Sequence, residues 1–593
     1  MSVFDSPPPV APLDELVEIA RREFGVETDT ATQVAALRSE RDLNVRIGGI
    51  VLKVAHAAET AEALDLQHHV LVHLASADPS LPVPRPVGPP VVRHVIAGTT
   101  HLVRAVSWLD GETWAAAMTA PPEPATQHAL RRSLGSTMGR LSAALSGVTH
   151  PAARRDGFLW DLDRAQSVRP WVADIPDPDD RDLVERVFAS HERVVEPCRT
   201  MLRRGLVHHD ANDHNILVSG REVTGIIDFG DMIESSLVNE LAVTLAYALL
   251  EANDIVAAAH DVISAYTTSF RMTDDELAVL WHLVAARLAM SVVISSHRSV
   301  EFPDNEYLLV SQRPALRLLR RITAVRPELL HAAARHATGL EPVVGADDVR
   351  AWIAGADRSV AHVLDRPLDA SPTLAFSLAE GATATKFGTG VDAAHAAWRW
   401  MAAEMAAVGA RVGLGAYGED RSCYGGEQFT TDAPEPRSVH LGIDLFVEAG
   451  TPVHSVLDGV VETVVDNDLP FDYGPTVIVR HTTGSGRPFW TLYGHMSRTT
   501  LHVVTPGQHL AAGAQVGTVG APHENGEWAP HVHVQVMTTL LTERWDHRDA
   551  APDGNFEGAG EPSRMAIWRS VVPDPSRLLR LAPDTFSPDR MRR

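Results

Sequence analysis

Residues 206–231 read LVHHDANDHNILVSGREVTGIIDFGD, and the reading of this stretch decides the first half of the chain. Asp210 stands five residues before Asn215, and Asp228 closes the apolar run Gly225-Ile226-Ile227-Asp228. Phosphoryl transfer requires a carboxylate beside the acceptor hydroxyl, oxygen ligands for magnesium, and a cation on the nucleotide phosphates. Asp210 supplies the first and the pair Asn215 and Asp228 the second. Taken singly, Asp210 and Asn215 would read as Asx residues capping a turn. Taken together, and ending in Asp-Phe-Gly, they read as a phosphoryl-transfer constellation.

The cation is found by counting. Of 52 basic residues only two are lysines, Lys53 and Lys386, and the other 50 are arginines. Genomic composition explains such a bias in general. A lysine kept in an arginine-rich chain nevertheless marks a place where a compact ammonium suits and a planar guanidinium does not. Lys53 lies in Ile50-Val51-Leu52-Lys53-Val54, which reads as a buried strand, and a charge buried there needs a partner such as phosphate. Lys386, in ATATKFGTG, has no comparable setting.

Composition bounds the rest. The 593 residues are 45% hydrophobic and 22% charged, enough for several cores and unlike a disordered or coiled-coil chain. A net charge of −24 argues against a nucleic-acid partner. Cys198 and Cys423 cannot form a disulfide framework and suit a reducing compartment. The opening MSVFDSPPPVAPLDE lacks a basic n-region and an apolar h-region, so the expected location is the cytoplasm. The apolar stretches near 240–250 and 277–295 read as buried helices rather than membrane spans.

The texture predicts a multidomain protein. Residues 1–340 read as an α+β module with a small mixed lobe and a large helical lobe. Its elements include a helix over 13–24 stopped by Gly25, a helix near 59–75 and a strand at 101–109. Residues 341–405 read as an Ala-rich helical connector, 406–545 as an all-β domain with turns such as Asp458-Gly459, and 546–593 as a C-terminal extension with a short helix near 574–581.

On the motifs quoted, residues 1–340 resemble the aminoglycoside phosphotransferase and choline kinase superfamily, relatives of the protein kinase fold, and within it hydroxylysine-kinase-like proteins. The resemblance implies Asp210 as catalytic base, Asn215 and Asp228 as magnesium ligands, Lys53 on the phosphates of ATP, and a small hydroxyl-bearing substrate. SERDLN (39–44) stands where the nucleotide-covering loop is expected, Val103 to Leu109 where the adenine hinge is expected, and FLWDLDRA (158–165) resembles the hydroxylysine-kinase branch. Two positions depart from the pattern. His209 replaces the usual glycine, and Gln67 stands where the glutamate partner of the lysine belongs, with Glu62 a turn earlier as the substitute. Arg287, alone in an apolar helix, has two readings: a grip on an anionic substrate group, or a buried structural salt bridge, the latter preferred.

A second constellation lies in the β region. His440-Leu441-Gly442-Ile443-Asp444 places His and Asp four apart, on one face of an extended strand, and His531-Val532-His533 does the same at spacing two. Leu492-Tyr493-Gly494-His495 ends a strand with a further histidine. Zinc hydrolases use three N/O ligands and leave a position for water, while further histidines handle its proton and the developing oxyanion. His454, His481, His502, His509 and His523 read as surface or packing residues. With GQHLAAGAQVGTVG between them, these motifs over 437–540 resemble the lysostaphin-type, or LytM-class, zinc endopeptidases. The resemblance implies His440, Asp444 and His533 as Zn2+ ligands, and His495 with His531 as the catalytic pair.

The join is itself a resemblance. Kinase-like, zinc-peptidase-like and class III aminotransferase modules occur together in longer bacterial proteins, and VVPDPSRLLRL (571–581) resembles the segment leading into the third. A pyridoxal-phosphate-dependent aminotransferase-like enzyme is therefore an expected partner, by analogy alone. The sequence leaves two functional classes open. One is a bifunctional enzyme, an ATP/Mg2+-dependent kinase joined to a zinc-dependent peptide or amide hydrolase. The other is a kinase whose zinc domain recognises a ligand or regulates. No membrane association is expected.

Overall fold

The computed structural model describes residues 9–29, 31–37, 39, 41–302, 312–355, 360–421, 424, 429, 434–546 and 556–592. Packing separates the chain into two units, Met1–Val325 with Trp545–His547, and Arg326–Arg544 with Arg548–Arg593. The division falls at Val325, ahead of the boundary expected at 340.

In the first unit, α1 (Leu13–Phe24) turns Leu16, Ile19, Ala20 and Phe24 inward and stops at Gly25, which adopts φ 66°. Strands β1 (Val34–Leu37), β2 (Leu43–Ile47), β3 (Ile50–Val54), β4 (Pro86–Ile96) and β5 (Thr99–Ser107) form an antiparallel sheet in the order β1-β2-β3-β5-β4. Alternation in β3 sends Ile50, Leu52 and Val54 into the core and leaves Lys53 on the opposite face. Helix α2 (Ala61–Ala77) is capped by Thr60, whose side chain accepts the Ala63 N–H at 3.2 Å.

Helices dominate the remainder of this unit. The helix Pro124–Leu145 carries Gly135 and Gly139, where a Cβ would fall 2.1 Å from the Val262 carbonyl oxygen and 2.3 Å from that of Tyr266. Only glycine permits that approach to the helix Ile255–Tyr266. The quoted stretch folds as the hairpin β6 (Ile216–Ser219) and β7 (Glu222–Ile226), with the candidate residues in the loops on either side. Helix α3 (Asp274–Glu301) opens with a capping box between Thr273 and Glu276. Among the described residues α3 is the helix long and apolar enough to cross a membrane, and 94% of its apolar window is buried inside the protein.

The second unit is built on nine strands. In chain order these are β8 (Thr373–Phe376), β9 (Val412–Gly415), β10 (Ile443–Phe446), β11 (Gly459–Asn467), β12 (Gly474–Thr482), β13 (Pro488–Gly494), β14 (His509–Leu510), β15 (His531–Met537) and β16 (Met591–Arg592), arranged β14-β11-β12-β13-β15-β10-β9-β8-β16. Pairing is antiparallel except where β8 meets β9 and β16. In β15, Val532, Val534 and Val536 enter the main core, so period-two geometry puts His531, His533 and Gln535 on the other face.

Three expectations are corrected here. Residues 341–405 are no connector: β8 extends the sheet, and α4 (Val391–Val408) packs Met401 and Met405 against Phe376 and Phe446. After α4 the chain to residue 545 is strand-rich, as expected of the all-β domain over 406–545. The extension 546–593 is also part of the fold, since Leu578, Leu579 and Leu581 join the main core and β16 pairs β8. Its helix is Met565–Val571, where Ile567, Trp568 and Val571 supply a buried face, and not 574–581, where Pro573 and Pro575 disfavour one.

Candidate functional site

In the first unit the site is assembled around Lys53. Its neighbours in register are Asn44 on β2 and Arg104 on β5, and its ammonium lies 4.0 Å from the Asp228 carboxylate. Burial lowers the Lys53 pKa, with the attraction of Asp228 opposing. Burial pushes the Asp228 pKa upward, but Lys53 and Arg41 outweigh it and hold the carboxyl below its ordinary range. Arg104 donates to the Gln67 side-chain oxygen, so the position expected to hold a glutamate partner for Lys53 is taken up by a different buried pair. Glu62 lies exposed on the first turn of α2 and does not fill that role. The carboxylate beside Lys53 is Asp228.

Asp228 sits in left-handed backbone, φ 60°, and its carboxylate accepts the Gly230 N–H at 3.3 Å. His209 is also left-handed, φ 68°, which is the physical reason a glycine is usual there. Its buried Nε2 lies 3.2 Å from the Leu162 nitrogen and 2.9 Å from the Trp160 carbonyl oxygen, tying the 158–165 segment to the loop that bears Asp210. His208 accepts the Asp210 N–H on Nδ1 (3.3 Å) and faces the Ile227 carbonyl with Nε2 (3.2 Å), bridging the Asp210 and Asp228 loops.

Asp210 is met by three side chains. Asn215 Nδ2 donates to Oδ2 at 2.6 Å, Asn212 Nδ2 donates to Oδ1 at 2.9 Å, and Arg287 stands 3.5 Å away. Burial, reinforced by Asp231 and Asp228, pushes its pKa well up, while Arg287 and Asn212 oppose. Because the Asn215 amide nitrogen is spent on Asp210, its oxygen is left as a ligand. With the Asp228 carboxylate it forms the kind of donor set that suits a hard divalent cation. Of the two readings of Arg287, the structure bears out the preferred one, a buried salt bridge: it is buried, donates to the Trp160 carbonyl at 3.3 Å, and its ion-pair partner is the candidate base Asp210. Of SERDLN, Glu40 lies outside the described residues. Val103 to Ser107 lie on β5, and the chain leaves the sheet through Trp108 and Leu109.

In the second unit His440 and Asp444 are not on one strand. The chain breaks at Leu441-Gly442, yet His440 Nε2 still lies 3.2 Å from Asp444 Oδ1. Asp444 pairs directly with His533 across β10 and β15, and His533 Nδ1 is 3.0 Å from Asp444 Oδ1 and 3.0 Å from His440 Nε2. These three residues are buried, with ligand atoms within 4.8 Å of one another.

Around them, each ring has its outer nitrogen committed. His440 Nδ1 donates to the Ala416 carbonyl (2.8 Å) and His533 Nε2 donates to Gln535 Oε1 (3.1 Å). Gln535 is itself oriented by donating to the Glu557 carbonyl at 3.2 Å. This fixes the tautomers with the inner nitrogens as lone-pair donors, as metal-ligating histidines require. His495 and His531 follow the same rule through the carbonyls of Asn525 (2.9 Å) and Ala529 (2.7 Å), and their rings lie 4.2 Å apart between centroids, tilted by 36°. Burial drives the pKa of His440 down to about 3 and lowers those of His495 and His531, so all three imidazoles are neutral. Two His and one carboxylate converging on a common point fit a zinc ion.

Some participants carry no legible signal in the sequence. Arg421 donates to Asp444 Oδ2 at 2.7 Å, fixing the carboxylate, and Glu240 accepts the His208 N–H at 2.6 Å, holding the catalytic loop. Gln535, two residues after His533 on the same face, was legible in HVHVQV. His481 is buried packing, bonded to the Asp458 carbonyl and Thr491.

Comparison with known proteins agrees with this division of chemistry. Residues 31–273 match the Phosphotransferase enzyme family and residues 438–545 match Peptidase family M23. The chain is 26% identical to mouse (Mus musculus) hydroxylysine kinase over 293 residues, covering 46% of this chain and 76% of the relative. It is 27% identical to hydroxylysine kinase of Danio rerio over 330 residues, covering 52% and 90%. Among solved structures it is similar to a microcompartment-associated aminopropanol kinase at 16% identity and TM-score 0.40, over 52% of this chain and 97% of that one. The chain therefore joins a kinase-like module that matches the Phosphotransferase enzyme family to a strand-rich region that matches Peptidase family M23.

Proposed function

We propose that the protein is a bifunctional enzyme, a kinase for a hydroxyl on a small amine-bearing metabolite and a zinc-dependent peptide or amide hydrolase. The observation that supports it is the same in both units: ligand-type and proton-handling side chains from distant segments converge with their outer hydrogen bonds already made. In the kinase half, Lys53 would meet the phosphates of ATP, and Asn215 with Asp228 would hold magnesium, which when bound supplies charge neutralisation to the phosphates. Asp210, its pKa raised by burial, takes the proton of the acceptor hydroxyl. The amine-bearing class follows from the likeness to hydroxylysine kinases.

In the hydrolase half, His440, Asp444 and His533 would hold zinc, which when bound supplies Lewis acidity to the scissile carbonyl. His495 and His531, both neutral with a lone pair facing the site, would do the remaining work in turn: one accepts the proton of the attacking water, and the imidazolium so formed donates to the oxyanion and passes that proton to the leaving amine. Two intact proton-handling histidines exceed what a binding module needs. We place this work in the cytoplasm, where ATP is, and an aminotransferase-like enzyme acting on the phosphorylated product is the proposed downstream partner.

The test is a coupled ATP-consumption screen with magnesium against hydroxylysine, amino alcohols and hydroxy amino acids, beside hydrolysis of short peptides by the zinc-replete protein. No magnesium-dependent ATP binding by calorimetry would refute the kinase half. Absence of zinc after metal-replete purification would refute the other.

A further inference from the structure

The ligands His440, Asp444 and His533, with His495 and His531, open into a cavity of about 430 Å3. That is the size of a site for a small molecule. Part of its wall comes from α4, through Ala393, Ala394, Ala397 and Met401, a helix outside the residues that match the peptidase family. Small side chains on α4 let the helix lie close while a bounded space remains over the histidines.

Beside the ligands the lining is aromatic, with Tyr424 6.4 Å from the His440 ring and Trp528 6.2 Å from that of His495. Trp528 meets Phe471 at 5.4 Å and 77°, and Tyr424 at 6.4 Å and 84°. Rings set nearly at right angles around a shared space offer π faces to a cation. Charge accounting points the same way. Arg421 is bonded to Asp444 and Glu419, and Arg437 is paired with Glu557. The other two carboxylates lining the cavity are Asp472 and Glu527. Each is adjacent in sequence to one of the rings, at Phe471-Asp472 and Glu527-Trp528.

The loops that bear these residues are locked together. Phe471 and Glu527 both adopt left-handed backbone, φ 64° and 65°, and Phe471 N–H donates to the Gly526 carbonyl at 2.9 Å. At Gly526 a Cβ would fall 2.1 Å from the Asp472 carbonyl oxygen, so the crossing requires glycine. Strained non-glycine residues that surrounding contacts hold in place are a mark of binding loops.

Resting on the hydrolytic reading of this site, we propose that it takes short, soluble peptides or amides bearing an ammonium group, which the Trp528–Phe471–Tyr424 rings and the carboxylates of Asp472 and Glu527 receive beside the metal ligands, and not polymeric strands.

The test compares triglycine amide with N-acetyltriglycine amide by calorimetry on the full chain, zinc-loaded and metal-stripped. The amine form is expected to bind about tenfold more tightly in both states, the scale of a cation among aromatic faces and carboxylates. The double variant Glu527→Gln, Asp472→Asn should erase that preference with zinc content unchanged. Equal binding, tighter binding of the acetylated form, binding of neither, or faster attack on cross-linked wall polymer than on triglycine amide would overturn the proposal. Hydrolysis is read separately. Tight binding of the amine form without cleavage refutes the hydrolytic reading and leaves the pocket assignment standing. Cleavage of both forms without preference does the reverse.

Discussion

The Arg287 guanidinium reaches within 3.5 Å of the Asp210 carboxylate from the middle of α3, an otherwise apolar helix. A buried arginine beside a buried carboxylate favours its ionised form, against the upward push of burial. Arg287→Gln should therefore raise the Asp210 pKa and move the acid limb of the kinase pH profile upward by about one unit or more. An unmoved limb in a folded variant would mean that the ion pair is structural only.

Asp210→Asn should keep nucleotide affinity while phosphoryl transfer falls by roughly 10²–10⁴-fold, the contribution of a positioned base. Asp228→Ala should instead lose the magnesium-dependent part of nucleotide binding, because it removes a ligand and the carboxylate 4.0 Å from Lys53. Calorimetry with and without magnesium separates the two. Identical behaviour of both variants would contradict the division of roles.

For the metal centre, His440→Ala, Asp444→Ala and His533→Ala should each abolish stoichiometric zinc, whereas His495→Ala and His531→Ala should retain it and lose hydrolysis. Gln535→Leu, which removes the acceptor for His533 Nε2–H, should weaken zinc binding by about 10–100-fold. Gly442→Ala should also lose zinc, since its Cβ would lie 2.3 Å from His533 Cε1. Elemental analysis after dialysis reads all seven. Full zinc in Gly442→Ala would show that the ring can yield.

The first unit should be labile to acid. Burial depresses the pKa of His191, His208 and His209 from 6.5 to about 4. Between those values the unfolded chain binds protons that the folded one refuses, so stability present above pH 6.5 is lost as pH falls towards 4. Glu240, pushed up to about 7 by burial, works the other way, losing stability as pH rises from 4.5 to about 7, as does Asp210, so the histidine contribution is read by substitution. His191→Leu should flatten the dependence of the urea midpoint on pH in this window. A dependence as steep as that of the unmodified protein would exclude His191 as a source.

What was legible in the sequence was chemistry with fixed spacing. Asp210, Asn215 and Asp228 bracket one hairpin, and His531 and His533 share a face by strand period, so local geometry alone brings them close. Gln67 could not be read, because its partner Arg104 arrives from another strand and only the register Lys53–Arg104 puts the two basic groups side by side. The Ala-rich run that becomes α4 was opaque for the opposite reason. Its contribution to the site is volume and nearness, and alanines carry no functional group to announce it. The break at Gly442 escaped a reading that took His440 through Asp444 as one extended strand.

The pairing of Asp444 with His533, and of His533 with Gly494, places two of the three proposed metal ligands on rungs of the sheet itself. A slip of one residue along β15 would turn His533 inward and bring a valine to the ion. Bound zinc would thus act as a proofreader of strand alignment: a mis-registered chain would forfeit the binding free energy that a correctly zipped one collects, so the ion would reward one alignment of the folded sheet over its neighbours.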